Sequence, residues 1–196
     1  MNHTIKGSTL VKGQDAQDES QILNKLILRK LSRRENLNRQ EIIEVIRNIT
    51  NGKCSDIFTS AFLMGLMVKG ETHIEFSGVI EAIRSASINI TPNTSLPLVD
   101  NCGTGGDMLN TLNISTAAAI IASSCKKVAV AKHGNKSSSG LSGSADVLEH
   151  VGYPLENMQT DRIATLIKTI GFGFLFAPNY HPGLKNVSRI RRELGT

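Results

Sequence analysis

The run Asp100-Asn101-Cys102-Gly103-Thr104-Gly105-Gly106-Asp107 constrains this chain more than any other stretch. A short apolar segment, Leu96-Pro97-Leu98-Val99, leads into it. Asn113-Ile114-Ser115-Thr116 and an Ala/Ile-rich run from Ala117 to Ser124 follow it. That order predicts a strand, a glycine loop and a helix start. Glycine has no Cβ, so the backbone can bend sharply and come close to a ligand. The helix start beyond the loop offers free N–H groups and the positive end of a dipole, which favour an anion. The segment reads as an α/β unit built to hold phosphate.

The design repeats. Lys127-Val128-Ala129-Val130-Ala131 predicts a buried strand, and Lys132-His133-Gly134-Asn135-Lys136-Ser137-Ser138-Ser139-Gly140 a loop of cations, hydroxyls and glycine. Ser142-Gly143-Ser144-Ala145-Asp146 then opens a helix over Val147 to Val151, with Ser142 and Ser144 as cap candidates. Two neighbouring strands that end this way can grip two phosphate groups of one ligand at the carboxyl edge of a parallel sheet. A third strand is expected over Gly173–Ala177, after a helix near Asp161 to Thr169. Residues 96–178 therefore read as a strand–helix alternation with a parallel sheet.

Residues 21–93 read as helices. Ile22, Leu23, Leu26, Ile27 and Leu31 have helical spacing. Asn38 with Glu41, and Thr72 with Glu75, are capping-box patterns. The first precedes Ile42, Ile43, Ile46 and Ile49, with Gly52 as a stop; the second precedes Ile80 and Ile83. Ser55 is expected to cap an apolar helix from Ile57 to Val68 that is mostly core and offers a dimer face. Pro92 and Pro97 bracket a linker. Residues 181–195 read as a last helix with Pro182 in its first turn.

Composition narrows the function classes. The net charge of +5 suits an acidic small substrate. The densest basic cluster, Arg29-Lys30 with Arg33-Arg34, has no aromatic beside it, so it reads as a solvated helix end rather than a nucleic-acid surface. Cys54, Cys102 and Cys125 are widely spaced and odd in number, which fits reduced thiols in a cytoplasm rather than a disulfide frame or zinc site. Residues 1–20 are polar and read as a flexible tail without a signal peptide, and no apolar run approaches a membrane span. No Ser-His-Asp or Cys-His set points to a covalent nucleophile.

Each candidate residue has a bland reading beside the functional one. Asp107 binds a metal-bridged diphosphate or satisfies a turn. Ser115 and Thr116 cap a helix, hold an anion, or do both. Lys132 is a site cation or a surface lysine. His133 is a substrate contact or a packed turn histidine. Arg189, Arg191 and Arg192 read, by spacing, as an exposed helix end.

Taken in order, these motifs resemble the anthranilate phosphoribosyltransferase family of tryptophan biosynthesis. The resemblance extends through Phe174-Leu175-Phe176-Ala177-Pro178 and Tyr180-His181-Pro182 to Arg191-Arg192-Glu193-Leu194-Gly195-Thr196, and covers roughly residues 21–196. It implies a nucleoside phosphorylase/phosphoribosyltransferase-like (class IV) α/β fold with an all-α N-terminal domain over 21–93, joined by the helix at about 179–196. The partial α/β donor-binding domain would span 96–178, with substrate between the two parts.

The implied reaction moves the 5-phosphoribosyl group from 5-phosphoribosyl 1-diphosphate to anthranilate, with Mg²⁺ neutralising the leaving diphosphate. The implied donor contacts are Gly103, Gly106, Asp107, Thr111, Asn113, Ile114, Ser115, Thr116, Lys132, His133, Gly134, Asn135, Lys136, Ser137, Ser138, Ser139, Gly140 and Ser144. Ser115 is the implied metal contact. Gly103, Asn135, His181 and Arg191 are the implied anthranilate contacts, with Arg191 as the carboxylate clamp. A cytoplasmic homodimer is expected.

Three positions depart from the family pattern: Lys136 in place of an arginine, Leu141 in place of a cation, and Met108 in place of a small residue. Family members are also longer, which leaves the α/β domain incomplete here. That implies either an active transferase or a non-catalytic form that binds only the donor or a partner fragment. Another phosphoribosyl or nucleoside-phosphate transferase on the same fold is a further alternative.

Overall fold

A computed structural model describes residues 21–103, 112–137, 142–156 and 158–195. The expected tail over 1–20 lies outside them. The chain forms two compact units: the segment up to Ser87 together with that from Gly183 onward, and Ile88–Pro182.

The first unit is helical. Helix α1 covers residues 21–32, followed by α2 (Arg39–Thr50), α3 (Asp56–Lys69) and α4 (His73–Ser85). Both capping boxes form, at Asn38/Glu41 and Thr72/Glu75, and the Ser55 hydroxyl accepts the Phe58 N–H at 3.2 Å. Ile27, Leu31, Ile42, Val45, Phe62 and Ala82 fill the core. On α3 only Phe58, Thr59, Phe62 and Leu66 are buried, whereas Ile57, Met67 and Val68 are exposed.

Helix α4 turns a small-residue face inward, with Ile83 packed against the core. Glu75, Gly78 and Ala82 are buried, and Ile80 is exposed. The cause is close approach to α2, since a Cβ on Gly78 would stand 2.3 Å from Ile42 Cγ2. Glu75 is fully buried yet well served. Its carboxylate accepts from Leu37 N, Thr72 N, Thr72 Oγ1 and Lys69 Nζ, all at 2.8–2.9 Å. Burial alone would raise its pKa, but these donors together hold it below the usual carboxylate range.

The second unit is a three-stranded parallel sheet in the order β1 (Leu98–Val99), β2 (Ala129–Gly134), β3 (Phe172–Phe176). Helix α5 (Ile114–Ser124) connects β1 to β2; α6 (Ser144–His150) and α7 (Thr160–Ile170) connect β2 to β3. Successive strand residues face opposite sides. Thus Leu175 joins Ala129, Ile163, Ile167 and Tyr180 in one core, and Phe174 joins Ala145, Leu148 and Leu155 in another.

Strand β2 lies further along the chain than its apolar run predicts. Lys132, His133 and Gly134 belong to it, paired with Phe174, Leu175 and Phe176, because β3 supplies ladder partners to that point. The last helix is also broken. A short helix α8 (Ala177–Tyr180) ends at His181, Pro182–Leu184 form a 3-10 turn, and α9 (Lys185–Leu194) follows in the helical unit. Arg189 of α9 pairs with Asp56 at the start of α3. Among the described residues, no helix is long and apolar enough to cross a membrane.

Candidate functional site

The carboxyl ends of β1 and β2 meet the start of α5. Lys132 is 1% exposed, and its Nζ donates to Asn101 Oδ1 and to Ser115 Oγ, each at a long 3.4 Å. No described carboxylate is within ion-pair distance of it. Burial pushes the Lys132 pKa down, while Cys102 and Asp100 pull the other way. Asn101 Nδ2 donates to the Ser115 carbonyl at 2.7 Å, which ties the strand exit to the first turn of α5. A buried, weakly partnered ammonium beside a helix N-terminus is a receptor for an anion.

Neither Ser115 nor Thr116 caps α5. The N-cap position is Asn113, and it makes no side-chain cap bond. Asn113 instead reaches the second loop, where its Nδ2 donates to Ser142 O at 3.1 Å and to Ser142 Oγ at 3.3 Å. Ile114 is exposed, and Thr116 is buried with its Oγ1 lacking a partner among the described residues.

The start of α6 is set by the Asp146 carboxylate rather than by the two serines expected as caps. Gly143 is the N-cap. The Asp146 carboxylate accepts from Gly143 N at 2.7 Å and Ser137 N at 3.0 Å, and these bonds hold its pKa below the usual range. Glycine is required at 143, because an added Cβ would stand 2.4 Å from Ser137 N. At Gly134 an added Cβ would meet Ser144 Oγ at 2.1 Å, so β2 and α6 close on each other there. Asn135 accepts the Ala145 N–H through its carbonyl. Lys136 is drawn to the surface by Glu149, 2.8 Å away.

His133 faces Asp100. Its main-chain N–H donates to Asp100 Oδ1 at 3.1 Å, and its Nδ1 lies 3.4 Å from Oδ2. The rings of Tyr180 and His181 each have centroids 6.0 Å from it. Tyr180 Oη and His181 Nδ1 are buried without a partner among the described residues. Burial, and then proximity to His133, push the His181 pKa below the ordinary histidine value. Arg191 stands exposed on α9, in the helical unit.

Comparison with known proteins bears on this arrangement. Residues 95–196 match the model of the glycosyl transferase family a/b domain, and residues 25–87 match that family's helical bundle domain. The chain belongs to the glycosyl transferase family.

The chain is similar to proteins named anthranilate phosphoribosyltransferase. It is 44% identical to that of Clostridium kluyveri, covering 89% of this chain and 51% of the relative. It is 40% identical to that of Nitrosopumilus maritimus, covering 86% and 48%. The solved Thermus thermophilus enzyme superposes with a TM-score of 0.78 at 38% identity, covering 87% of this chain and 51% of that one. The Saccharomyces cerevisiae enzyme, solved in complex with PRPP and Mg, gives 0.79 at 28% identity, covering 88% and 51%. The chain thus spans about half the length of the curated relatives it matches.

Gly106, Asp107, Thr111, Ser138, Ser139 and Gly140 lie outside the described residues, as do Met108 and Leu141. Gly103, Asn113, Ile114, Ser115, Thr116, Lys132, His133, Gly134, Asn135, Lys136, Ser137, Ser144 and His181 all belong to the α/β unit, and Arg191 to the other. Asp100 and Asn101 were absent from the expected site, although both sit in the opening motif. Their acceptor and donor atoms face β2 and α5, a cross-strand relation that the order of residues does not display.

Among the described residues, no group of three or more His, Cys, Asp or Glu can hold a metal ion. Ser115 offers one hard hydroxyl oxygen, with the Lys132 ammonium 3.4 Å from it. Such a set fits a Mg²⁺ that arrives on phosphate oxygens, not one held by protein alone.

Proposed function

We propose that this chain carries the donor-binding part of an anthranilate phosphoribosyltransferase. The reaction joins the 5-phosphoribosyl group of 5-phosphoribosyl 1-diphosphate to the amine of anthranilate, releasing diphosphate, in L-tryptophan biosynthesis. The observation that carries this reading is the buried Lys132 ammonium, held among the described residues by the neutral oxygens of Asn101 and Ser115 at the start of α5.

Anionic oxygens of the donor replace those long contacts with charge-assisted hydrogen bonds. The α5 and α6 starts, tied by Asn113 to Ser142, hold the two ends of the donor. Gly134 lets β2 close on α6, and Gly143 lets the α6 start close on the Asn135–Ser137 backbone, which shapes the loop that receives it. The family resemblance assigns acceptor contacts to Gly103, Asn135 and His181, and separately a carboxylate contact to the planar fork of Arg191. Ser115 would hold a Mg²⁺ that arrives with the donor, and the ion would supply charge neutralisation at the leaving group. Lys132 does the same from a fixed position, so that catalysis comes from orientation and preorganised charge rather than a covalent intermediate. The same reading takes the working unit as a cytoplasmic homodimer.

The test is anthranilate fluorescence with the purified chain, donor and Mg²⁺. Donor-dependent decay is expected. A folded chain that binds donor without decay would reduce the reading to donor binding, and one that binds no donor would overturn it.

A further inference from the structure

The Asp100 carboxylate meets His133 twice. Its Oδ1 accepts the His133 main-chain N–H at 3.1 Å, and its Oδ2 lies 3.4 Å from the ring Nδ1. The two residues come from the ends of neighbouring strands, since Val99 pairs with Val130 in the β1–β2 register. The main-chain bond anchors the carboxylate, so the group facing the ring is not free to swing away.

An ionised carboxylate can only accept a hydrogen bond, so its proximity favours the tautomer with the proton on the ring nitrogen that faces it. Two further rings flank His133. Tyr180 approaches edge-on and His181 is tilted, both at 6.0 Å between centroids. Lys132, one residue earlier on β2, projects from the opposite face of the strand.

The geometry points to Asp100 as a positioning residue that fixes the His133 proton on Nδ1 and leaves Nε2 as the hydrogen-bond acceptor for the attacking amine. This rests on the phosphoribosyl transfer proposed above. In that step the amine lone pair forms the N–C1 bond. The C1–O bond to diphosphate breaks, and its electron pair leaves on the oxygen. The nitrogen then carries a surplus proton, which passes to Nε2 and makes an imidazolium facing Asp100. The hydrogen bond strengthens only as the nitrogen becomes positive, so it speeds the step more than it tightens substrate binding.

Asp100→Asn is the test. The amide oxygen can still accept the His133 main-chain N–H, but its other end is an NH₂ that faces Nδ1 and moves the ring proton to Nε2. Long-range ¹H–¹⁵N spectra of the imidazoles should show His133 protonated at Nδ1 in the wild-type chain and at Nε2 in the variant. Turnover at saturating substrates should fall about 100-fold, while donor affinity by calorimetry stays unchanged. In a His133→Ala background the same change should cost nothing further. A wild-type ring protonated at Nε2, or an equal loss from Asp100→Asn in both backgrounds, would overturn the proposal. If the wild-type chain shows no turnover, the transfer reading fails and the tautomer alone decides: a ring proton that moves supports positioning by Asp100, and one that stays refutes it.

Discussion

Replacing Lys132 by Met should move stability and donor affinity in opposite directions. The side chain is 1% exposed, and among the described residues its ammonium has two hydrogen bonds, both to neutral oxygens at 3.4 Å. That leaves most of the desolvation cost of the charge uncompensated. Exchanging an ill-compensated buried ion for an apolar side chain of similar volume is neutral or stabilising by about 1–4 kcal/mol. At roughly 2–4 °C per kcal/mol for a chain of this size, the melting temperature should rise by several degrees.

The donor loses one charge-assisted bond, worth about 1.5–3 kcal/mol, so its Kd should weaken by roughly 10- to 150-fold. The pH dependence gives a second handle. Burial holds the folded Lys132 pKa below its unfolded value of about 10.4. Between the two values the unfolded chain binds more protons, so wild-type stability should rise with pH there and the Met variant should lack that rise. Urea unfolding and calorimetric titration of the donor read both quantities. A variant that is less stable, or that binds donor as tightly as the wild type, would refute the reasoning.

Three further outcomes follow from the same structure. Glu75→Gln breaks the buried pair with Lys69 and should cost about 3 kcal/mol at pH 7 in urea unfolding. Because the folded Glu75 pKa is depressed, that contribution is present above the unfolded carboxyl value of about 4.3. It is lost as pH falls through the folded one, so the difference should shrink in acid. Gly78→Ala gains helix propensity but drives a methyl group into Ile42, and a net loss of about 1–2 kcal/mol is expected; a gain would show that α4 can slide away from α2. Asn113→Ala removes the tie to Ser142 and should weaken donor binding about tenfold while leaving the melting temperature nearly unchanged.

What the sequence made legible was local. Capping boxes at Asn38/Glu41 and Thr72/Glu75 are read from three-residue spacing, and each forms as the spacing requires. The three strands and the helix behind each loop follow from apolar runs and glycine punctuation. Misreadings occurred where a distant neighbour decides the outcome. Lys132 to Gly134 pass from loop to strand because β3 offers them partners. On α4, Gly78 sets how closely α2 approaches, a contact that no local spacing shows. Asp146 replaces Ser142 and Ser144 in organising α6, since one carboxylate can reach both Gly143 N and Ser137 N. Asp100 and Asn101 act across strands, on His133 and on Lys132 with Ser115, and nothing in their spacing announces it.

The central claim is that the ends of β1 and β2 form a receptor for a diphosphate-bearing sugar. Calorimetric titration of the wild-type chain with 5-phosphoribosyl 1-diphosphate and Mg²⁺ tests it most directly. The account predicts saturable binding that inorganic diphosphate displaces. A folded chain that gives no saturable heat, or whose binding diphosphate fails to displace, would contradict it.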